Sequence, residues 1–318
     1  MKRYGALLIA ALLGVGLCGL GQDRALSVTE IDPGVRGVGL GGAGVASSVG
    51  VEALYYNAAR LADSGSASFQ SFYALHLGAA NYTALGVTFP SWGLAFLNLS
   101  SSDIAGYDAG GNPTETLRYR STAILAGFGA SPHTLSFLPR LPFDWAIGTR
   151  LKFLSTAVAD ARGYGITFDL SGFVGLNSLN VAGVAIDDLS IGFLVNNVIG
   201  SLRYDNTSDN LLTDARLGMS AIVAGQVLVA IDYEISGRFH LGAEYRPVPT
   251  FALRAGILQQ NPGTSLTLGI GLDLEGFGID YAFLGSTGLS GSHRVALSID
   301  FATIDFGSLM SMLRRILP

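Results

Sequence analysis

The chain is short of cysteine, of charge and of long apolar runs, and each shortage excludes something. Its one cysteine, Cys18, lies among the first 21 residues. A mature chain beginning at Gln22 has no thiol, so disulfides, thiolate catalysis and cysteine-based metal sites are excluded. Charged residues fill 14% of the 318 positions, against about 25% in soluble proteins. That shortage suggests a membrane, yet beyond the N-terminus no apolar stretch reaches the roughly 20 residues of a spanning helix. A net charge of −5 argues against a nucleic-acid binder. The four histidines, His76, His133, His240 and His293, have no metal-ligand spacing. G-x-S-x-G, P-loop and H-E-x-x-H sequences are absent. No catalytic residue, cofactor or metal is expected, and the chain reads as a non-enzyme.

What is present begins with Lys2 and Arg3 before an apolar run, Tyr4 to Leu20, that closes on Gly19 and Gly21. This pattern predicts a secretory signal peptide over residues 1–21. Acylation at Cys18 is the alternative, with Leu17 a poor fit to the small residue required before it. Next comes a polar lead and then the most glycine-dense stretch, Gly34 to Ala62. Gly34, Gly37, Gly39, Gly41, Gly42 and Gly44 leave a backbone nearly bare of side chains, suited to close approach. Val51 to Leu61 reads as a short helix, with Val51, Leu54, Tyr55, Ala58 and Leu61 at helical spacing. Gly39-Leu40-Gly41-Gly42-Ala43-Gly44 satisfies G-x-G-x-x-G, with Asp63 near the distance of a ribose-binding acid. The dinucleotide reading fails because no buried strand precedes it and no βαβ unit follows.

From about Ser66 to Phe301 the sequence divides into about fourteen strand-like segments, most near the ~9–11 residues that cross a bilayer at a tilt. The second half alternates with a period of two. One face carries residues such as Val229, Ile231, Leu241, Leu253, Leu268 and Ile279. The other carries Asp232, Glu234, His240, Glu244, Arg246 and Arg254, then Asp273, Asp280, Arg294 and Asp300. A soluble sandwich would bury the apolar face, whereas a membrane barrel turns it to lipid and points the charges into the lumen. The export signal, the even repeat and the scarcity of loop charge favour the barrel. Tight connections at Pro90-Ser91, Ala224–Gln226, Pro247–Thr250 and Glu275-Gly276 contrast with long polar ones at Ser100–Glu115 and Leu202–Asp214, which places the tight set on the periplasmic side. Gly129–Phe143 and Gly175–Asp188 fall on that side too although they are long, and Ser236-Gly237-Arg238 is a tight turn on the outside. In the lumen, Asp232 and Glu234 are expected to pair with Arg246 and Arg254, and His240 lies near Glu244.

The expected architecture is therefore all-β: a transmembrane antiparallel β-barrel of about 14 strands over residues 66–301, in the bacterial outer membrane. A short glycine-rich, partly helical plug, or hatch, covers residues 22–65. Its marked residues are Gly39, Gly41, Gly42, Gly44, Tyr56, Asn57 and Arg60, and a lumen carboxylate is sought beside Arg60. An amphipathic C-terminal tail covers residues 302–318.

Two stretches resemble a known family. Gly39-Leu40-Gly41-Gly42-Ala43-Gly44-Val45-Ala46 and Tyr56-Asn57-Ala58-Ala59-Arg60-Leu61 are similar to the N-terminal signature of the PorV/PorQ family, within the FadL-like group of outer-membrane barrels. Ala58 and Arg60 depart from its usual proline and glycine, and Glu52 is what remains of its acidic pair. Gly278-Ile279-Asp280-Tyr281-Ala282-Phe283 through His293-Arg294 to Ile299 resembles that family's last hairpin. The resemblance implies a fourteen-stranded barrel with a hatch in its lumen. Passive passage of hydrophobic or small amphipathic solutes is the first function it implies. The alternative is a PorV-like partner of a type IX-like secretion system that binds secreted proteins. A phospholipase of the outer membrane would need a serine–histidine constellation, which a linear reading neither shows nor excludes.

Overall fold

A computed structural model describes residues 27–304, apart from 102, 109, 160, 177, 182, 205–207, 261, 262 and 287–289. The expected signal peptide, Cys18 and nearly all of the C-terminal tail lie outside the described residues. Fourteen strands form the wall: β1 Ser68–His76, β2 Ala80–Phe89, β3 Trp92–Ser101, β4 Tyr119–Ala130, β5 Asp144–Val158, β6 Ala161–Gly175 and β7 Val184–Tyr204, then β8 Asp214–Val223, β9 Val227–Glu234, β10 Phe239–Val248, β11 Phe251–Gln259, β12 Thr264–Leu274, β13 Phe277–Ser286 and β14 Ser292–Asp300. Each strand pairs antiparallel with the next in the chain. Pairing of Ser68 through Leu75 with Asp300 through His293 joins β1 to β14 and closes the ring. Closure leaves no sheet edge, which a bilayer would not tolerate.

The direction of the side chains separates barrel from sandwich. Leu266, Leu268 and Ile166 are 61%, 60% and 57% exposed on the outside of the wall, while Asp232, His240 and Arg294 are only 1%, 2% and 2% exposed on the inside. An apolar exterior around a charged interior is what a lipid solvent selects. Phe89, Trp92, Phe128, Tyr245, Phe277 and Phe301 are exposed around the end that carries the tight turns. Tyr73, Tyr164, Tyr233 and Tyr281 are exposed toward the opposite end. These two sets match the interfacial belts of membrane proteins.

Three details depart from the sequence reading. Thr116 does not begin β4; it belongs to a separate hairpin, Ile104–Tyr107 with Pro113–Leu117, inside the long β3–β4 connection. β7 runs 21 residues, and its pairing with β6 shifts between Val195 and Ile199. Asn197 in that shift has φ 53°, a left-handed value that asparagine tolerates better than most residues. The helix expected over Val51–Leu61 is instead a 3-10 turn Gly50–Glu52, a short helix α2 at Ala53–Tyr56 and a second 3-10 turn Ala58–Asp63. Asn57 breaks it by adopting an extended backbone at φ −161°, and its side chain then caps the second turn through the Ala59 N–H. An earlier helix, α1, spans Val35–Gly39.

Depth in the bilayer can be tested on one strand. Leu268→Arg, in the middle of β12, should cost about 2–4 kcal/mol, and Leu274→Arg at the strand end no more than about 1 kcal/mol. Urea-dependent folding into lipid vesicles, followed by heat-dependent gel mobility, measures both. Equal costs would mean that the outer face does not meet lipid.

Candidate functional site

Residues 27–65 carry no strand, so the backbone groups that their short turns leave unpaired need partners elsewhere. They lie inside the ring, and the wall supplies those partners. On the α1 side, the Asp232 carboxylate of β9 accepts from the N–H groups of Gly44 and Val45 at 2.8 and 2.9 Å. Arg216 of β8 donates to the Gly42 carbonyl and pairs with Asp232 at 2.9 Å. His240 of β10 places Nδ1 2.8 Å from the Gly41 carbonyl and Nε2 2.9 Å from Glu234. The Thr267 hydroxyl accepts from Gly41 N–H at 3.0 Å and donates to the Gly39 carbonyl at 3.2 Å. Arg294 of β14 donates to the Asp32 carbonyl.

On the α2 side, Arg150 of β5 donates to the carbonyls of Leu54 and Tyr55 at 2.6 and 2.5 Å. It is itself held by Asp169, which also pairs with Lys152. A cation at the C-terminal carbonyls of a helix is favourable both as a hydrogen-bond donor and against the helix dipole. Asn57 Nδ2 donates to Val45 O and to Gly172 O of β6. Among the described residues one ion pair joins the inserted segment to the wall directly: Arg36 Nε lies 2.9 Å from Glu244 of β10, which also holds Arg254 and Arg246.

Close approach is made possible by missing side chains on both surfaces. A Cβ at wall Gly242 or Gly256 would collide with the backbone of Leu40 and Gly41. Gly41 itself, at φ +67°, leaves no room for a Cβ against the carbonyls of Leu241 and Ile257. Within the segment, the fully buried Tyr56 ring lies where a Cβ at Gly34, Gly37 or Gly44 would be. Glu52 accepts from the N–H groups of Arg36 and Gly37 at 2.8 and 2.9 Å, capping α1.

The ten lumen charges named from the sequence all occupy inward positions of their strands. Their pairing differs from expectation. Asp232 and Glu234 pair with Arg216, not with Arg246 or Arg254, because β8 lies beside β9 and places Arg216 opposite Glu234. His240 binds Glu234 instead of Glu244. Arg254 bridges Glu244 and Asp280. Asp273, Asp300 and Arg246 stand at the rim with the tight turns, around a cavity of about 290 Å³. Among the described residues Arg60 forms no ion pair with a lumen carboxylate. It pairs with Asp63 of its own turn at 2.9 Å, and its guanidinium lies 4.0 Å above the Phe173 ring. Arg36, Arg150, Lys152, Asp169 and Arg216 were missed. The last four fall at inward positions of strands β5, β6 and β8, where alternation applied to the first half would have found them.

The inserted segment separates two cavities. Toward the tight-turn end lies a space of about 920 Å³ lined in part by Arg36, Arg60, Asp63, Asp144, Phe173 and Glu244. Toward the other end lies one of about 250 Å³ lined in part by Lys152, Asn197, Arg216, Glu234, Arg238 and Arg294. The lumen wall is two-faced. Tyr82, Ala84, Ala95, Leu97, Ala123 and Leu125 of β2–β4 pack on Leu54, Tyr55 and Leu61, whereas β8–β11 present the charged network.

No protein-family model matches the chain, and no curated protein matches it. Solved structures do. The Pseudomonas putida toluene transporter TodX aligns with a TM-score of 0.50 and 11% identity over 88% of this chain and 98% of that one. A TodX monoaromatic hydrocarbon channel variant gives 0.47 and 12% over 84% and 98%. Outer membrane phospholipase A of Escherichia coli, an active-site mutant, gives 0.37 and 14% over 74% and 89%. At such identities the first likeness establishes the fold alone, a closed antiparallel β-barrel.

Two measurements probe how the segment is seated. Gly256→Ala should push Leu40 and Gly41 off the wall, costing on the order of 1–3 kcal/mol and exposing residues 27–65 to protease. Gly65→Ala, whose Cβ would meet nothing within 4 Å, should do neither. Burial pushes the Glu52 carboxyl up from 4.5 to about 7, against the opposing pull of Arg36. Its contribution to seating is therefore complete below about pH 4.5 and is lost as pH rises through 7. Protease protection of the segment should fall across that window in the native chain and be flat in Glu52→Gln.

Proposed function

We propose that the protein is a gated outer-membrane channel for small amphipathic solutes, with residues 27–65 as its hatch. The observation that carries this reading is the two-faced lumen. An apolar wall on β2–β4 opposite a charged wall on β8–β11 suits a solute with an apolar body and a polar end. The TodX likeness supports a barrel of the kind that handles apolar solutes; the charged half of this lumen favours an added polar group. The hatch is held on both its α1 and α2 sides by hydrogen bonds, and by the Arg36–Glu244 ion pair, which water can replace on release, so displacement costs less than extraction of an all-apolar plug. Solute would enter the cavity beside Arg238 and Arg294, displace the hatch, and leave by the lumen or through the wall.

A second reading, a PorV-like partner of secreted proteins, draws on the resemblance of residues 39–46, 56–61 and 278–299 and on the hairpin 104–117. That hairpin exposes Ile104, Tyr107 and Leu117 at 48%, 66% and 41%. Efflux from vesicles that contain only this protein separates the two, because a partner-binding role needs no flux.

Removal of residues 34–61 should raise permeability to small solutes while heat-dependent mobility stays that of a folded barrel. Glu244→Gln, which loosens Arg36, should weaken hatch seating by on the order of 2 kcal/mol and give an intermediate flux. A folded deletion variant with unchanged permeability would end the hatch reading.

A further inference from the structure

The lumen accounts for most of the charged strand residues. Three arginines remain outside it. Arg120 of β4, Arg162 of β6 and Arg203 of β7 are exposed, and each alternates with buried inward neighbours: Ser121, Gly163 and Leu202. They are the arginines at outward strand positions among the described residues, and all fall within four adjacent strands of a fourteen-strand ring. None is in an ion pair with a described carboxylate, and no carboxylate takes an outward position in β3–β6. An arginine on a lipid-facing wall costs about 2–4 kcal/mol at the midplane and falls toward zero near the headgroups, so these three belong at the headgroup level, where anionic lipid groups attract them.

Register groups them at two adjacent levels. Arg120 is level with Ala157, and Ala157 with Arg162, which sets the two arginines about 10 Å apart, two strand spacings. One outward step inward along the barrel axis, Thr122, Ser155, Tyr164 and Arg203 share a level. A further step gives Phe96, Ile124, Phe153 and Ile166. The wall thus passes from cation to hydroxyl to hydrocarbon within three outward positions, the order of a lipid from phosphate to sugar to acyl chain. The last two levels line a hollow of about 620 Å³ on the outer face. It spans β3 to β7, about 19 Å at ordinary strand spacing, wide enough for more than one acyl chain side by side.

We infer that this face binds a phosphorylated, multiply acylated glycolipid of the outer leaflet, of the lipid A class, with phosphates on Arg120, Arg162 and Arg203 and acyl chains in the hollow. The inference rests on the reading of the protein as an outer-membrane barrel with the long β3–β4 connection outside; it does not depend on the hatch or on transport. The width of the hollow and its hydroxyl level favour a glycolipid over a two-chain phospholipid.

The test is native mass spectrometry of the full purified protein in detergent, titrated with bisphosphorylated lipid A, dephosphorylated lipid A and phosphatidylglycerol. Bisphosphorylated lipid A should be retained best. The R120Q/R162Q/R203Q variant should bind it about a hundredfold more weakly, roughly fivefold for each arginine beside an anionic lipid, with heat-dependent mobility unchanged. Single variants R120Q and R203Q should each lose about fivefold. Undiminished binding by the folded triple variant, or equal binding of dephosphorylated lipid A, overturns the site. Equal binding of phosphatidylglycerol overturns the glycolipid assignment. Solute flux in vesicles free of lipid A tests the channel reading separately, so failure of one is distinguishable from failure of the other.

Discussion

Everything in the lumen depends on the need to satisfy a backbone that has no sheet of its own. Residues 27–65 form two short helices and three 3-10 turns, which leave many N–H and C=O groups without local partners. In a water-filled pore those groups would be solvated. Packed against a wall they need fixed donors and acceptors, or each costs on the order of 1–3 kcal/mol. The charged side chains on the inner wall meet that need: Asp232 takes two N–H groups, Arg150 serves two carbonyls, and Arg216 and His240 serve one each. Many of the lumen charges are therefore hydrogen-bonding partners of the inserted chain as well as partners of one another.

Glycine makes the arrangement sterically possible. Wall residues Gly242 and Gly256 face Leu40 and Gly41 with no side chain between the two backbones. The same economy explains the sequence that mimicked a phosphate loop. Gly41 presses on the wall, Gly42 lies against His240, and Gly44 lies under the Tyr56 ring. A nucleotide loop uses glycine to bring its backbone to a phosphate; this segment uses it to bring its backbone to a sheet and to an aromatic face.

The wall was largely legible because a period of two, repeated in every strand, needs no tertiary knowledge. Strand number followed from it, as did the face of Asp232, Glu244 and Arg254. Pairing within the lumen was not legible, since Arg216 finds Asp232 across the sheet by register and not by spacing along one strand. The two stray carboxylate expectations, for His240 and for Arg60, failed for the same reason. Asn57 broke the expected helix: its side chain caps Ala59 locally and also reaches Val45 and the wall carbonyl of Gly172, partners that only the folded lumen brings to it. The connections separated only in part: 131–143 and 176–183 are long although they lie at the tight-turn end, and 77–79 and 235–238 are short at the other end.

The contacts of the inserted segment also bear on the order in which the chain folds. Arg36 meets Glu244 across 208 residues, Gly41 meets Thr267 across 226, and Asp32 meets Arg294 across 262. Loop-closure entropy must be met before such distant partners reward it. The segment precedes the wall in the chain, yet its contacts with β10, β12 and β14 cannot form before those strands are in place. Complete seating of the N-terminal segment therefore reports that the wall from β8 to β14 has formed.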